Sequence, residues 1–398
     1  MNESLKLWTG RYIAIVVMAF LFFLCLQILT AGFPAHITDI KNNPTQGGLM
    51  TTVFMLAAII TRPLIGYLIH KVNMNVLNMI ALVFVGVTIA FSFGQESVGV
   101  LLVLRALHGI GFGILSTVIS TMATNIIPTK KLGEGIGYYG LATSVGTSIA
   151  PMVALSLLQY YSYNIMIILT VLLTIATLAI SIFVKTPMPK VTVSMPAKKN
   201  ITFKEYAFDK KAFLPSMLTI FFTISLGGVI SFMGELGKEA NLGSSVSLFF
   251  LVLSAMMVIV RPLSGRLFDN YGHKVIIYPG ITSGIIGLFL LSITEHTFTL
   301  LLAGMFYGLA YGVVTPTLQA IAVRRVIKEK QGTANAMYFS GMDLGMAIGS
   351  TGLGALAGIT GYHFIYGFSI VFLAALLIIY FFVNVRIKKQ AEMYAEAS

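Results

Sequence analysis

One acidic residue of this chain, Asp343, lies where a side chain could take up and release a proton inside an apolar helix. The sequence has 14 acidic residues, and only Asp343 falls deep within a long apolar stretch, between Gly341 and Gly345. It stands about twelve residues from the polar end of that stretch, or ~18 Å at ~1.5 Å per residue. Ionisable groups at such depth are rare and serve proton or ion pathways. We therefore predict that Asp343 carries a proton, with a structural ion pair to Arg62 as the alternative.

Three other ionisable residues in apolar stretches are candidates for proton coupling. Arg105 interrupts the run 101–111, where a charge costs at least ~2.5–3.5 kcal/mol unless it faces protein or water. His108 follows three residues later and therefore shares a helix face with Arg105. Glu235 stands near the end of another apolar stretch. The alternatives are a structurally paired arginine, a hydrogen-bonded histidine and a solvated glutamate.

The chain repeats itself, and the repeat defines the elements that must position these residues. Arg62-Pro63-Leu64-Ile65-Gly66 returns as Arg261-Pro262-Leu263-Ser264-Gly265, and 261 − 62 = 199, half of the 398 residues. The same offset relates Asp343 to Ser144, so the acid belongs to one half only. Duplicated halves in an apolar chain are typical of secondary transporters, whose binding site lies between the halves.

Composition indicates a membrane protein. Hydrophobic residues make up 57% and charged residues 10% of the chain, whereas soluble domains average roughly 45–50% and about 25%. Apolar runs near the ~20 residues that span a hydrocarbon core recur along the sequence. We predict an all-α membrane protein whose twelve spans form two pseudo-symmetric six-helix bundles. The predicted spans are 12–34, 48–69, 74–94, 98–125, 133–158, 162–184, 212–236, 245–268, 274–294, 297–323, 331–358 and 361–384.

The distribution of charge predicts the topology. An N-terminal bundle (1–184) and a C-terminal bundle (212–398) flank a basic linker (185–211). Most of the 26 Lys and Arg residues lie at the termini, in this linker and in the loops on the same side. Since basic loops stay inside, both termini should be cytoplasmic in a multi-pass protein of the bacterial plasma membrane. The net charge of +12 then reflects contact with anionic lipid and not with nucleic acid.

Six plus six spans, cytoplasmic termini and a basic central linker resemble the major facilitator superfamily over the whole chain. The loop after span eight is similar to that superfamily's Gly-x-x-x-Asp motif, whereas the loop after span two has His70 in place of the Asp. The resemblance implies that Asp269 caps a helix across the halves and steadies an outward-open state. The first-half contact would be weaker, or dependent on pH through His70. The gating candidates of this motif are Arg62, Gly66, His70, Arg261, Gly265 and Asp269.

Span five resembles the antiporter signature of the same superfamily. It keeps the spacing of the signature, with alanine at two of the glycine positions, in Gly137, Gly146, Ala150, Pro151 and Ala154. Small residues let neighbouring helices approach closely, and the proline can kink the span. The resemblance implies an exporter that exchanges its substrate for a cation. It makes Gly137, Gly146 and Pro151 further gating candidates.

A substrate cavity between the halves requires polar and aromatic side chains on the spans that line it. Such amphipathic residues can hold drug-like molecules, and helix packing is the alternative role for each of them. The candidates are Gln27, Thr30, Arg105, Ser116, Tyr139, Phe222, Ser225, Phe232, Tyr307, Tyr311, Gln319, Tyr338 and Met342.

These features together predict a monomeric, proton-coupled transporter that exports a small amphipathic compound by alternating access. Its partners would be that compound, protons and the lipid bilayer. The sequence contains neither a P-loop for ATP nor a metal-binding cluster, so we expect no enzyme activity, no metal and no cofactor beyond the proton gradient. An alternative is a dedicated exporter of an endogenous metabolite such as an anionic siderophore or a sugar, because Arg105 with His108 suits an anion. A proton-coupled importer is a further alternative.

Overall fold

The computed structural model describes residues 6–41, 44–69, 71–184, 207–243 and 245–396, and every regular element in them is helical. The first half contains α1 (Gly10–Lys41), α2 (Pro44–Leu68), α3 (Met74–Ala90), α4 (Val98–Ile126), α5 (Leu132–Tyr160) and α6 (Tyr163–Phe183). The second contains α7 (Lys210–Glu239), α8 (Ser245–Tyr271), α9 (His273–Ser292), α10 (Thr297–Arg324), α11 (Gln331–Ile348) and α12 (Tyr362–Glu396). After α11 the helix continues through one π-helical turn (Gly349–Leu353) into a last segment (Gly354–Thr360).

Eleven helical spans of the described chain are long and apolar enough to cross a membrane. The shorter apolar helix is α3, whose 17 residues extend for about 26 Å. The predicted span 74–94 was therefore too long at its end, because the chain leaves α3 at Phe91 and turns at Gly94, whose φ is +67°. With α3 the helices number twelve, and the predicted all-α fold of two pseudo-symmetric six-helix bundles is confirmed.

Each half of the chain has its own apolar core. Leu29 and Ile119 are buried among α1–α6, and Leu288 and Val314 are buried among α7–α12. Large apolar side chains such as Ile60 remain exposed on the outside of the bundle. An outer surface of this kind suits lipid, because lipid tails are as apolar as the side chains that face them.

Glycines allow α5 of the first half to cross α8 of the second half at very short range. A Cβ atom at Gly137 would stand 2.7 Å from the carbonyl oxygen of Arg261, and one at Gly265 would stand 2.8 Å from the Cα of Glu134. Side chains do not tolerate such distances to a backbone, so this crossing requires glycine on both helices.

The other residues of the span-five pattern lie away from this crossing. Gly146 packs on α1, where a Cβ would stand 2.9 Å from the carbonyl oxygen of Phe20. Pro151 is exposed, and α5 continues through it to Tyr160. The pattern therefore serves helix contacts both within the first half and between the halves.

The halves meet where α2 contacts α11, α5 contacts α8, α4 contacts α11 and α5 contacts α10. We call the end of the bundle at which α1 begins and α6 ends the linker face, and the opposite end the far face. Among the described residues, most hydrogen bonds between the halves lie on the linker side. The one nearest the far face joins Ser148 to Ser254 near mid-height. The described halves are thus closed at the linker face.

Candidate functional site

A buried ion pair joins the two halves near the middle of the bundle. The Nε of Arg62 on α2 donates to Oδ2 of Asp343 on α11 over 2.7 Å, and the two side chains are 0% and 4% exposed. The guanidinium also donates to the hydroxyl of Ser116 on α4 at 3.0 Å and lies 4.9 Å from the ring centroid of Phe339. The sequence left open whether Asp343 pairs with Arg62, and the structure brings these two residues together.

Arg105 is equally buried but has a different set of partners. It donates to the carbonyl oxygen of Met50 at 3.3 Å and to the hydroxyl of Thr30 at 3.4 Å, and it lies 4.3 Å from the ring centroid of Phe54. No carboxylate of the described residues lies within 4.0 Å of it. The first half therefore holds a buried guanidinium whose charge is balanced only by dipoles and aromatic rings.

The two other proton candidates lie apart from the Arg62–Asp343 pair. His108 is fully buried in the first half, and its ring stands nearly perpendicular to that of Phe33 at a centroid distance of 5.8 Å. The Glu235 carboxylate is 43% exposed and accepts a hydrogen bond of 2.7 Å from Lys238 on its own helix. A proton role for either residue stays a prediction.

The Asp of the second-half loop motif lies at the start of a first-half helix. Its two oxygens, Oδ1 and Oδ2 of Asp269, accept from the backbone N–H groups of Gly133 and Glu134, each at 2.8 Å. The positive end of the α5 dipole favours a carboxylate there. Arg266 adds an ion pair of 2.9 Å to Glu134. These contacts tie α8 to α5 at the linker face, whereas His70 lies outside the described residues.

A buried polar network, which the sequence analysis did not predict, also closes the linker face. The amide nitrogen of Gln319 on α10 donates to Ser120 on α4 at 2.9 Å and to Oδ1 of Asn335 on α11 at 3.0 Å. Asn335 in turn donates to Thr124 on α4 at 3.2 Å. Since 319 − 120 = 199, the repeat offset offered a signal for one of these contacts. Gln319, predicted as a cavity residue, belongs to this network.

Some predicted cavity residues are buried inside the second half. Ser225 and Tyr307 share a hydrogen bond of 2.7 Å, and the ring of Phe222 stacks on Tyr307 at a centroid distance of 6.0 Å. All three are fully buried. The predicted residues that keep part of their surface accessible are Gln27, Thr30, Phe232, Tyr311 and Met342.

The remaining predicted residues gather at the contact between α5, α8, α10 and α11. The Arg261 guanidinium on α8 donates to the carbonyl oxygen of Gly140 on α5 and lies 5.4 Å from the ring centroid of Tyr311. The hydroxyl of Tyr338 donates to the carbonyl oxygen of Thr315 at 3.1 Å, and Tyr139 is buried. The structure thus places aromatic and cationic groups together between the halves.

Comparison with known proteins assigns this arrangement to a family. The sequence model described as Major Facilitator Superfamily matches residues 15–326 and 280–396. The Staphylopine export protein of Staphylococcus aureus is 20% identical, over 89% of this chain and 91% of its own length. The multi-drug resistance efflux pump PmrA of Streptococcus pneumoniae is 23% identical, over 80% of this chain and 81% of its own. The solved human organic anion transporter MFSD10 has a TM-score of 0.80 at 14% identity, over 93% and 99% of the two chains.

Proposed function

Because the chain belongs to the major facilitator superfamily, we propose that it is a proton-coupled antiporter that exports a small amphipathic compound by alternating access. It is a multi-pass membrane transporter of small molecules, and its relatives include efflux pumps and exporters. Halves that rock about a central site expose that site to each side of the membrane in turn.

The observation that carries the proton coupling is the ion pair between Arg62 and Asp343. It bridges α2 and α11 between the halves, and both side chains are out of water. Protonation of Asp343 would remove the negative charge, so the guanidinium would lose its counter-ion and the two helices would lose their strongest polar contact. Loss of the proton would restore the pair. Protonation of Asp343 therefore favours opening of the linker face, and deprotonation favours its closure.

The direction of exchange follows from the topology that we propose. If the linker face is cytoplasmic, as the basic residues predict, the closed linker face belongs to an outward-facing state. A proton that arrives from outside neutralises Asp343, and the cytoplasmic side then opens. There the proton leaves and the exported compound binds. A monomer suffices for this cycle, because both halves belong to one chain.

The test compares two acid-to-amide variants in proteoliposomes with an imposed pH gradient. Labelled ethidium, an amphipathic cation, and labelled 1-naphthoate, an amphipathic anion, report accumulation in parallel assays, and a trapped pH-sensitive dye reports proton movement. In Asp343→Asn, gradient-driven accumulation should fall to the level without a gradient, because the variant cannot bind the proton. Exchange of labelled for unlabelled probe at equal pH should persist, which shows that the variant is folded.

The matched variant is Glu235→Gln, which removes the other candidate acid. We expect it to retain gradient-driven accumulation, since Glu235 pairs with Lys238 on an exposed helix face. If Asp343→Asn accumulated the probe as the unchanged protein does, the proton role of Asp343 would be ruled out. Loss of accumulation in Glu235→Gln alone would transfer that role to Glu235.

A second candidate function is export of one endogenous anionic metabolite. Arg105 favours it, because a buried guanidinium without a described carboxylate nearby suits an anion. The Staphylopine export protein, a relative of this chain, is named for the export of a single compound, which also favours this function. The test compares the small molecules that accumulate in cells with and without the gene. A change confined to one anionic metabolite would favour this function, and a uniform loss of resistance to many dyes and antibiotics would contradict it.

A further inference from the structure

The repeat builds the same arginine site twice, once at each contact between the halves. Arg62 on α2 and Arg261 on α8 are counterparts at the offset of 199. Arg62 lies 5.5 Å from the ring centroid of Phe112, and Arg261 lies 5.4 Å from the ring centroid of Tyr311. Since 311 − 112 = 199, even the rings beneath the two guanidinium groups are counterparts. The two arginines therefore share an equivalent ring contact.

The two sites differ in what neutralises the arginine. Arg62 has Asp343, whose counterpart in the first half is Ser144. Arg62 also packs against Phe339, whose counterpart is Gly140. At the Arg261 site the acid is thus replaced by a hydroxyl, and a large ring is replaced by a hydrogen atom. Ser144 stands one turn beyond Gly140 on α5, and residues four apart share a helix face.

Among the described residues, Arg261 is consequently a buried cation without a counter-ion. It is 5% exposed, and no carboxylate of the described residues lies within 4.0 Å of it. One guanidinium nitrogen donates to the carbonyl oxygen of Gly140, and Nε has no described hydrogen-bond partner. A buried charge that lacks its partner costs several kcal/mol. The Arg62 site shows that this fold accommodates a carboxylate at the equivalent position.

We propose that Arg261 binds the carboxylate of the transported compound, and that this carboxylate takes the position beside Arg261 that Asp343 takes beside Arg62. This inference rests on the proposed transport function and adds the substrate class, a small organic anion. The site lies ten residues from the end of α8, since 271 − 261 = 10, or about 15 Å from the linker face. It also lies at the contact between α5, α8 and α10, which is where a carrier of this kind holds its substrate.

The side chains around Arg261 indicate the shape of that anion. A guanidinium fork matches the two oxygens of a carboxylate, which is the strongest pairing available to it. Tyr311 and Tyr338 contribute aromatic faces with polar tips, which suit an apolar or aromatic body next to the acid group. Gly140 lets the Arg261 guanidinium lie directly against the α5 backbone, since a Cβ at this position would stand 2.6 Å from a guanidinium nitrogen. We therefore expect a compact aromatic or aliphatic carboxylate.

The substrate and the proton then act on equivalent contacts between the halves. A proton on Asp343 neutralises the α2–α11 contact, and an anion on Arg261 neutralises the α5–α8 contact. Each ligand changes the charge at one of two pseudo-symmetric positions between the halves. A carrier loaded with either ligand therefore differs electrostatically from the empty carrier at a contact that has to move.

The experiment measures equilibrium binding to the purified protein in detergent without any proton gradient. The probes are benzoate, 1-naphthoate and carboxyfluorescein, with benzylamine and 1-naphthylmethylamine as matched cations. Ser144→Asp supplies the missing acid, so it should compete with the probe and raise the Kd of the carboxylates at least about tenfold. Ser144→Asn has the same size without the charge, so it should raise that Kd less than about threefold.

A second variant, Arg261→Gln, tests the same inference in case Ser144→Asp fails to fold. Arg261→Gln should weaken carboxylate binding at least about tenfold and should leave the affinity for the amines within about threefold. If no carboxylate binds to the unchanged protein, or if Ser144→Asp and Ser144→Asn weaken binding equally, the inference is overturned. Failure of the proton coupling would instead appear in the gradient assay with Asp343→Asn, while the binding results would stand.

Discussion

Arg62→Met should lower the unfolding temperature of the purified protein more than any other single exchange of a buried arginine. Removal of the guanidinium leaves Asp343 buried without its cation, and breaking one partner of a buried ion pair costs about 3–5 kcal/mol. The hydroxyl of Ser116 would also lose its charged donor. The measurement is thermal unfolding in detergent, followed by the fraction that remains monodisperse after heating.

The double variant Arg62→Met with Asp343→Leu should recover most of that loss. Replacement of a whole buried ion pair by apolar residues is often neutral or even stabilising by about 1–4 kcal/mol. The double variant should be stable but uncoupled from the proton gradient, since no titratable group remains at the pair. Stability and coupling would then be separated in one protein.

The repeat provides a matched control for this result in Arg261→Met. Arg261 has the same position in its half but has no described carboxylate within 4.0 Å. Its removal therefore leaves no described carboxylate buried without a partner. We expect it to change the unfolding temperature by much less than Arg62→Met, or to raise it. Equal losses for the two single variants would show that the ion pair with Asp343 contributes nothing specific.

Gly265→Leu should prevent closure of the linker face while leaving both bundles folded. A Cβ at Gly265 would already stand 2.8 Å from the Cα of Glu134, and a leucine would push α8 away from α5. Overpacking of this kind costs about 1–3 kcal/mol, which here falls on the closed state because the contact joins the two halves. The bonds from Asp269 to the start of α5 would lengthen with it.

The measurement is the distance between labels on the linker-face loops at Lys130→Cys and Lys328→Cys. Cys25 is the only cysteine of the chain, so Cys25→Ser gives a clean background. The control is Gly234→Leu, because a Cβ at Gly234 meets nothing within 4 Å. We expect longer label distances in Gly265→Leu alone. Unchanged distances there would show that the α5–α8 crossing does not limit closure.

The fold could be predicted from the sequence because its signals are long and repeated. Apolar runs gave twelve helices, and the offset of 199 divided them into two equivalent sets. The predicted span that overran its helix furthest was that of α3, where Gly94 has a positive φ within a stretch that is still apolar enough to be predicted as a span. Hydropathy records composition, whereas the end of a helix depends on local backbone geometry.

The site could be predicted only in part. Asp343 stood out because a buried acid is costly, and Arg62 was named as its alternative partner because the resemblance to the superfamily implies that spans two and eleven are neighbours. The network of Ser120, Gln319 and Asn335 was missed because uncharged polar residues are common in such helices. Their burial costs much less free energy than burial of a charge, so they do not stand out in the sequence. Their contacts depend on how the two halves are tilted, and no local pattern in the sequence records that tilt. The accessible surface of Tyr311 depends on the same tilt.

The π-helical turn at Gly349–Leu353 separates α11 from the helical segment Gly354–Thr360 that continues it. A π turn holds one residue more than an α turn, so α geometry at the same residues would rotate everything beyond them by about 100°. A Cβ at Gly354 would stand 2.7 Å from the Phe232 ring on α7. After such a rotation Gly354 would no longer face this ring, whereas Asp343 would keep its position. The geometry of this one turn thus sets which residues of Gly354–Thr360 face α7, independently of the position of Asp343.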